Sequence, residues 1–318
     1  MPEKLLKDAL AGDAEAMYQL GTMYAFGNGV ALDLDEALHW LKKAAKFGHT
    51  MAGLVLQDIG QPMDTPKPKS QSRDGGRCLS TGDTKTIVLP GGEKMKMIYC
   101  APGEFMMGDS SCRRSRRGGS GSDSLHLVTL TKGFWLGMYP VTQKQWKSVM
   151  GKNPSKTIVN LNCPVESVTW LDCKKFISKV NLKIHSKARF PTEAEWEYAC
   201  RAGAEKQFSG TGEIEDMGWY DGNSDGVTHP VGKKKPNNWG FHDMHGNVRE
   251  WCADVYGPYM SCHQKDPKGE NPMVSRGERV MRGGSVFEIA KSCSSFARDH
   301  GFTSYAYTDC GFRLCCSV

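Results

Sequence analysis

The first part of the chain has the apolar spacing of amphipathic helices. Between residues 14 and 24, apolar side chains recur every three or four positions, at Ala16, Met17, Leu20, Met23 and Tyr24. The same spacing returns between residues 37 and 45, after a break at 27–29 that contains two glycines. Two acidic residues open the second segment, as is common in the first turn of a helix. The pattern predicts a helical hairpin within residues 1–58.

The segment 59–83 is rich in Gly, Pro, Ser and Lys, which is typical of a linker. From residue 84 onward, short apolar segments lie between Gly and Pro residues, and they predict strands at 87–89, 97–99, 127–130 and 134–136. Amphipathic helices are predicted at 141–150 and 169–180. A third helix begins after Thr192, where Glu195 completes a capping box. The second domain, 84–318, therefore combines short strands with few helices.

Charge and hydropathy add few constraints. A net charge of +6 over 318 residues is a mild excess and by itself indicates no nucleic-acid or membrane partner. No segment approaches 18 consecutive apolar residues, so no transmembrane helix is expected. The N-terminal residues have no apolar signal core, which predicts a cytoplasmic location for the sequence as written. A surface or secreted location would follow if a signal had been removed.

The chain has twelve cysteines, which is many for a cytoplasmic protein. None forms a Cys-x-x-Cys pair, and no Cys/His cluster has the spacing of zinc ligands. Because cysteine packs like a small apolar residue, we expect buried free thiols. A disulfide framework is the alternative, and the length of the chain disfavours it.

The N-terminal hairpin carries an ordered set of motif residues: Leu20-Gly21-Thr22-Met23-Tyr24, Gly27-x-Gly29-Val30, Ala37-x-x-Trp40-x-x-Lys43-Ala44-Ala45 and Gly48. In this it resembles a Sel1-like repeat, over one full repeat and the start of another. Repeats of this kind bury their faces on neighbours, and about three are usually needed for stability. The resemblance implies that the unit packs on the large domain or binds a protein partner.

Ordered motifs also run through the large domain. They include Pro102-Gly103-x-Phe105-x-Met107-Gly108, Tyr139-Pro140-Val141-Thr142-Gln143-x-x-Trp146, Arg189-Phe190-Pro191-Thr192-Glu193-Ala194-Glu195-Trp196, Gly246-Asn247-Val248-x-Glu250-Trp251, Arg282-Gly283-Gly284-Ser285 and Gly311-Phe312-Arg313. By these motifs the domain resembles the formylglycine-generating enzyme and sulfatase-modifying factor family. The resemblance implies an α+β fold, a C-type-lectin-like domain that is low in regular structure.

The resemblance also implies a metal site. In this family the Gly-Asn-x-x-Glu-Trp segment wraps a calcium ion with backbone carbonyls and the glutamate, and oxygen ligands of this kind suit calcium. Here the expected ligands of a structural calcium ion are Asn247, Glu250 and neighbouring carbonyl groups. The alternative is that Glu250 accepts hydrogen bonds from the backbone.

The catalytic motif departs from the family pattern. The enzymes hold copper(I) between two cysteines five residues apart, shortly after Gly-Gly-Ser, and thiolates are the natural ligands for that ion. Counting from Ser285, the first position is Glu288 and the second is Cys293. Because a carboxylate is a poor replacement for a thiolate, we expect neither copper binding nor formylglycine formation. If the protein is an enzyme, an oxidase acting on a thiol or peptide cysteine, Cys293 is the expected catalytic residue.

The same fold serves as the scaffold of variable proteins of diversity-generating retroelements, which display ligand-binding residues near the C-terminus. The segment 299–309 has the Tyr, Phe, Ser and Gly content of recognition loops. An ordinary surface loop is the alternative. The resemblance favours a non-catalytic protein that binds a protein or other ligand at its C-terminal surface. The candidate ligand-binding residues are Val286, Phe287, Glu288, Ile289, Asp299, His300, Phe302, Ser304, Tyr305, Tyr307 and Asp309.

Overall fold

The computed structural model describes residues 3–26, 34–49, 77–109, 125–184, 187–260, 262–269 and 277–318, with a few isolated positions besides. The chain divides into two compact units, Met1–Ser70 and Gln71–Val318. The turn of the predicted hairpin and most of the predicted linker lie outside the described residues.

The N-terminal unit consists of three helices, Glu3–Leu10, Ala14–Phe26 and Leu34–Lys46. The second and third are the two predicted helices. Leu20 and Leu41 are fully buried between them, and a Cβ atom at Gly21 would lie 2.6 Å from the Leu41 side chain. The glycine therefore lets the two helices approach closely.

Three sheets of three or more strands form the frame of the large unit. The five-stranded sheet has the order Thr84–Val88, Lys94–Cys100, Phe134–Gly137, Cys315–Ser317 and Ala188–Arg189. The three-stranded sheet has the order Gln264–Lys265, His126–Leu130 and Gly103–Met107. The four-stranded sheet, which carries the candidate site, has the order Arg298–Phe302, Glu278–Arg282, Arg249–Val255 and Cys310–Phe312.

Two short pairs of strands complete the sheets: Gly218–Trp219 beside His245–Gly246, and Arg73–Asp74 beside Arg77–Cys78. The predicted strands at 87–89, 97–99, 127–130 and 134–136 all overlap observed strands, with shifted ends. Gly103–Met107 was not predicted as a strand, although it pairs with His126–Leu130 along its whole length.

The main helices of the large unit are Gln143–Met150, Trp170–Asn181 and Glu193–Arg201, with a single turn at Ile214–Met217 and a 3₁₀ turn at Ala290–Cys293. The predicted capping box is confirmed, since the Thr192 side chain accepts from the Glu195 N–H and Glu195 accepts from the Thr192 N–H. The helix starting at Gln143 has the same box, which the sequence analysis missed. Capping satisfies backbone donors that would otherwise be orphaned at the helix start.

Large aromatic residues fill the interior of the large unit. Trp146 stacks on Phe176 at a centroid distance of 5.3 Å, and both rings meet Phe312 edge-on. Trp196 and Trp251 are fully buried. These rings supply apolar area where regular structure is sparse. The mixture of helices and strands confirms the predicted α+β class.

The ten cysteines whose side chains the structure describes are all free thiols, and nine of them are buried. Cys262 is the exposed one. This agrees with the expectation of buried thiols rather than a disulfide framework. Within the described residues, no helix has both the length and the apolar content needed to cross a membrane.

Candidate functional site

The candidate site begins where the strand Glu278–Arg282 ends. Gly283 and Gly284 have φ values of 97° and 69°, in the left-handed region that favours glycine. A Cβ atom at Gly284 would lie 2.6 Å from the Cys293 sulfur. The two glycines thus turn the chain sharply and bring the segment 285–293 back against the end of the strand.

This turn borders a polar cavity of about 330 Å³. Its lining residues are Met281, Arg282, Gly283, Gly284, Glu288, Ser292, Ala297, Arg298 and Asp299. Of the predicted ligand-binding residues, Glu288 and Asp299 lie on its wall. The cavity therefore lies beside Glu288, the position at which the family's enzymes have the first of their two cysteines.

The guanidinium of Arg249 joins this wall to the rest of the C-terminal segment. It pairs with Asp299, with Asp309 at 2.5 Å, and with Glu288 at 3.7 Å. It also lies 5.3 Å from the centre of the Tyr307 ring. One guanidinium thus faces three carboxylates. Burial raises the pKa of Glu288 above its ordinary value; the neighbouring carboxylates add to that rise, and Arg249 opposes it.

Cys293 is fully buried, and its thiol donates a weak hydrogen bond to the Ser285 carbonyl at 3.9 Å. Burial, assisted by the Glu288 carboxylate, raises the pKa of this thiol to about 12. The thiol is therefore protonated at neutral pH. A reactive or metal-binding cysteine needs the thiolate form.

His245 fixes the backbone beside this thiol. Its Nδ1–H donates to the Cys293 carbonyl at 2.8 Å, and its Nε2 accepts from the Ser209 N–H at 3.1 Å and lies 2.8 Å from the Ser209 hydroxyl. Burial lowers the pKa of His245 to about 4. A neutral, fully buried imidazole with both nitrogens engaged acts as a structural group.

The residues predicted to form the C-terminal surface differ in their exposure. Phe287, Ile289, Phe302 and Tyr305 are 52–60% exposed. His300 and Ser304 are also exposed.

Three predicted positions differ. Val286 is buried because its backbone is held by Asn247 and Ser224. Asp309 is buried because it accepts from Arg249 and from the Ser285 hydroxyl. Tyr307 is half-buried, since its ring packs against Trp251.

The residues predicted to bind calcium are engaged with the protein itself. Both Glu250 oxygens accept hydrogen bonds, one from the Trp196 indole at 2.7 Å and both from Arg313 at 2.9 and 3.1 Å. The Asn247 side-chain oxygen accepts from the His229 N–H at 3.1 Å. The Arg313 guanidinium thus supplies the positive charge that a cation would bring, and this donor set does not fit a calcium ion. The part of the chain that the structure describes contains no group of three or more His, Cys, Asp or Glu arranged for a metal.

We therefore expect the midpoint of thermal unfolding to be the same with a chelator as without it. A ligand that binds the folded state raises the midpoint, so removing one would lower it. Differential scanning calorimetry with EDTA, with added calcium as the matched control, tests this. A midpoint that falls with EDTA and recovers with calcium would show that a cation is bound after all.

Sequence reasoning missed Arg249, which organises the three carboxylates. It occupies the unassigned position of Gly246-Asn247-Val248-x-Glu250, and nothing in its neighbourhood along the sequence indicates its partners. Those partners lie 39 to 60 residues later in the chain. The only hint in the sequence is that a basic residue in this motif is followed by acidic residues in the C-terminal segment.

Comparison with known proteins decides the family. The model of the sulfatase-modifying factor enzyme 1-like domain matches residues 88–318, and that of the Sel1 repeat matches residues 14–49. The chain belongs to the sulfatase-modifying factor enzyme 1-like family. The predicted Sel1-like repeat is confirmed as well.

Among curated members of this family, the chain is similar to the formylglycine-generating enzyme of Mus musculus, with 28% identity over 59% of this chain and 52% of the enzyme. It is also 34% identical to the chaperone protein LppX of Paenibacillus barcinonensis, over 39% of this chain and 63% of that protein. The chain thus spans between half and two thirds of the length of these relatives.

Two solved structures have a similar fold. The Treponema denticola variable protein 1 superposes with a TM-score of 0.66 at 28% identity, over 74% of this chain and 99% of that one. PvdO from Pseudomonas aeruginosa superposes with a TM-score of 0.60 at 24% identity, over 76% and 100%. The second likeness concerns the fold alone.

Proposed function

We propose that this family member is a non-catalytic binding protein whose ligand docks on the C-terminal surface. One observation carries the proposal: a carboxylate, Glu288, stands where the enzymes have their first cysteine, and Cys293 at the second position is a buried, protonated thiol. The pair cannot supply the two thiolates that copper(I) prefers. The oxidation of a substrate cysteine therefore lacks its metal site.

The contacts of Glu288 give it another role. Its carboxylate faces Arg249 and lines the cavity, so it belongs to the polar network that shapes this surface. Exposed apolar residues flank it directly, since Phe287 and Ile289 are 55% and 59% exposed. Exposed aromatic and apolar side chains around a polar depression are typical of a binding surface.

The likeness to the Treponema denticola variable protein 1 supports the same function. It combines 28% identity with coverage of almost that whole chain. The C-terminal segment, in which Phe302 and Tyr305 are exposed, is where the resemblance leads us to expect recognition residues. We infer a recognition surface of this type at residues 287–289 and 299–305.

The catalytic half of the proposal is tested with a cysteine-containing sulfatase-type peptide, incubated with the full chain, copper and a reductant in air. We expect mass spectrometry to show no conversion of the cysteine to an aldehyde. A Glu288→Cys variant, which restores a cysteine at the first position of the pair, is measured in parallel for comparison. Oxygen-dependent aldehyde formation by the unmodified chain, abolished by Cys293→Ser, would instead identify it as an oxidase of the formylglycine-generating type.

The binding half is tested by selection from a displayed library of random peptides. We expect binders to be enriched on the unmodified chain and lost on Phe287→Ala/Tyr305→Ala, because exposed aromatic residues dominate the free energy of such contacts. Leu182→Ala, a change at a residue that is 86% exposed elsewhere in the domain, is the matched control. Enrichment that is the same on all three proteins would show that binding occurs at another surface.

A further inference from the structure

The exposed rings and the cavity wall form one continuous surface. The Tyr305 ring packs on Tyr307 at a centroid distance of 4.7 Å, and Tyr307 lies against the Arg249 guanidinium. Arg249 in turn contacts Glu288 and Asp299 on the cavity wall. The exposed residues Phe287 and Tyr305 are thus linked by direct contacts or chain adjacency to the two acidic residues of the cavity wall.

This surface carries an excess of negative charge. Two other arginines line the cavity itself and are paired. Arg298 binds Glu193 through two hydrogen bonds of 2.7 and 2.9 Å, and Arg282 binds Glu197, which also pairs with Arg201. Three arginines thus share the two carboxylates of Glu193 and Glu197. Arg249 alone faces the carboxylates of Glu288, Asp299 and Asp309. With Arg249 and its partners included, five carboxylates face four guanidinium groups, which leaves a formal charge of −1 on a chain whose net charge is +6.

Glu288 and Asp299 are accessible to a ligand. Their side chains are 27% and 39% exposed, whereas that of Asp309 is 9% exposed. The Arg249 Nε atom has no hydrogen-bond partner, and its distance of 3.7 Å to Glu288 is too long for one. The Glu288 carboxylate is therefore incompletely neutralised by the protein and keeps acceptor capacity toward the cavity.

We propose that the ligand is a protein segment that places an arginine or lysine side chain in the cavity, between Glu288 and Asp299, with apolar neighbours on Phe287 and Tyr305. This rests on the proposed binding function and names the chemistry of its ligand. The cavity volume of about 330 Å³ lies at the lower end of the range for ligand pockets and suits one long side chain. Carboxylate walls match a guanidinium or ammonium group, and the exposed apolar residues match the flanking residues of a peptide.

Fluorescent heptapeptide pools with randomised flanks and a fixed central residue test the ligand class. The central residue is arginine, lysine, citrulline or glutamate, because citrulline keeps the shape of arginine without its charge. Fluorescence anisotropy with the full chain measures the dissociation constants. We expect the arginine and lysine pools to bind roughly tenfold or more tightly than the citrulline pool, and the glutamate pool to bind most weakly.

Matched variants locate the contact. Glu288→Gln and Asp299→Asn should each bring the arginine pool toward the affinity of the citrulline pool, whereas Glu205→Gln, at an exposed carboxylate outside the cavity, should not. Thermal unfolding of each variant confirms that it folds. Glu288→Gln, which replaces the carboxyl group by a neutral amide, should leave the midpoint unchanged or slightly higher, because burial and its acidic neighbours raise the pKa of that carboxyl group.

Three outcomes would overturn the assignment. Equal affinity for the arginine and citrulline pools would show that the ligand need not be basic, and the proposed binding function would stay intact. The same would follow if no pool bound while displayed peptides still did. A shift of the unmodified chain to a dimer in analytical ultracentrifugation, lost in the Glu288→Gln variant, would assign the surface to a second copy of this chain instead.

Discussion

Replacing Arg313 by methionine is expected to lower the free energy of unfolding by about 3–5 kcal/mol, the usual cost of removing one partner from a buried ion pair. Arg313 is fully buried, and its guanidinium makes two hydrogen bonds to the Glu250 carboxylate. It also donates to the carbonyls of Gly137, Met138 and His242 at 2.8–2.9 Å. The methionine would leave a buried charge and several carbonyl groups without partners.

Chemical denaturation followed by tryptophan fluorescence measures this change. The matched control is Lys235→Met, which removes an exposed partner of Asp216 and should alter the free energy of unfolding far less than Arg313→Met does. Glu250→Gln combined with Arg313→Met should recover part of the loss, because the uncompensated charge is then absent. A loss below about 1 kcal/mol for Arg313→Met that grows when a chelator is added would show that a cation rather than Arg313 neutralises Glu250.

Local patterns in the sequence were sufficient for the main helices and for four of the strands. The capping box at Thr192 and Glu195 is a contact over three residues, and it lies where the spacing predicts it. Strand order depends on long-range contacts instead, because Phe134–Gly137 pairs with Cys315–Ser317 from the far end of the chain. No local pattern contains that pairing. The strand Gly103–Met107 was missed because its motif begins with Gly and Glu, which are depleted in strands.

The same distinction applies to the site. Motif spacing alone identifies the two positions of the family's cysteine pair. Glu288 replaces the cysteine at the first, and Cys293 at the second is buried in the structure. The role of Arg313 could not be predicted, since its partner Glu250 lies 63 residues earlier and the pair forms only in the folded core. Exposure along 286–309 was also beyond a local argument. Neighbouring positions such as Val286 and Phe287 have opposite environments that depend on contacts with distant loops.

The last prediction separates recognition from packing among the aromatic residues of the C-terminal segment. Replacing Phe287, Phe302 and Tyr305 together by alanine should abolish binding of displayed peptides. It should change the free energy of unfolding at each position by no more than about half a kcal/mol, since all three side chains are more than half exposed.

Tyr307→Ala should behave differently, with a loss of about 2 kcal/mol in the free energy of unfolding. Its ring contacts Trp251 and Arg249, and the absence of a side chain at Gly301 makes room for it, since a Cβ atom there would lie 2.6 Å from the ring. Tyr307 thus supports the guanidinium that holds the cavity carboxylates, and peptide affinity should fall with it.

Denaturation curves and peptide binding, measured on the triple variant and on Tyr307→Ala side by side, give the comparison. Tyr307→Phe serves as the control that keeps the ring and removes the hydroxyl, which accepts from the Phe302 N–H at 3.3 Å. A triple variant as destabilised as Tyr307→Ala would show that Phe287, Phe302 and Tyr305 pack within the fold. A triple variant that folds normally and retains peptide binding would show that the recognition surface lies outside the C-terminal segment. Exposed rings that can be removed without loss of affinity do not anchor the complex.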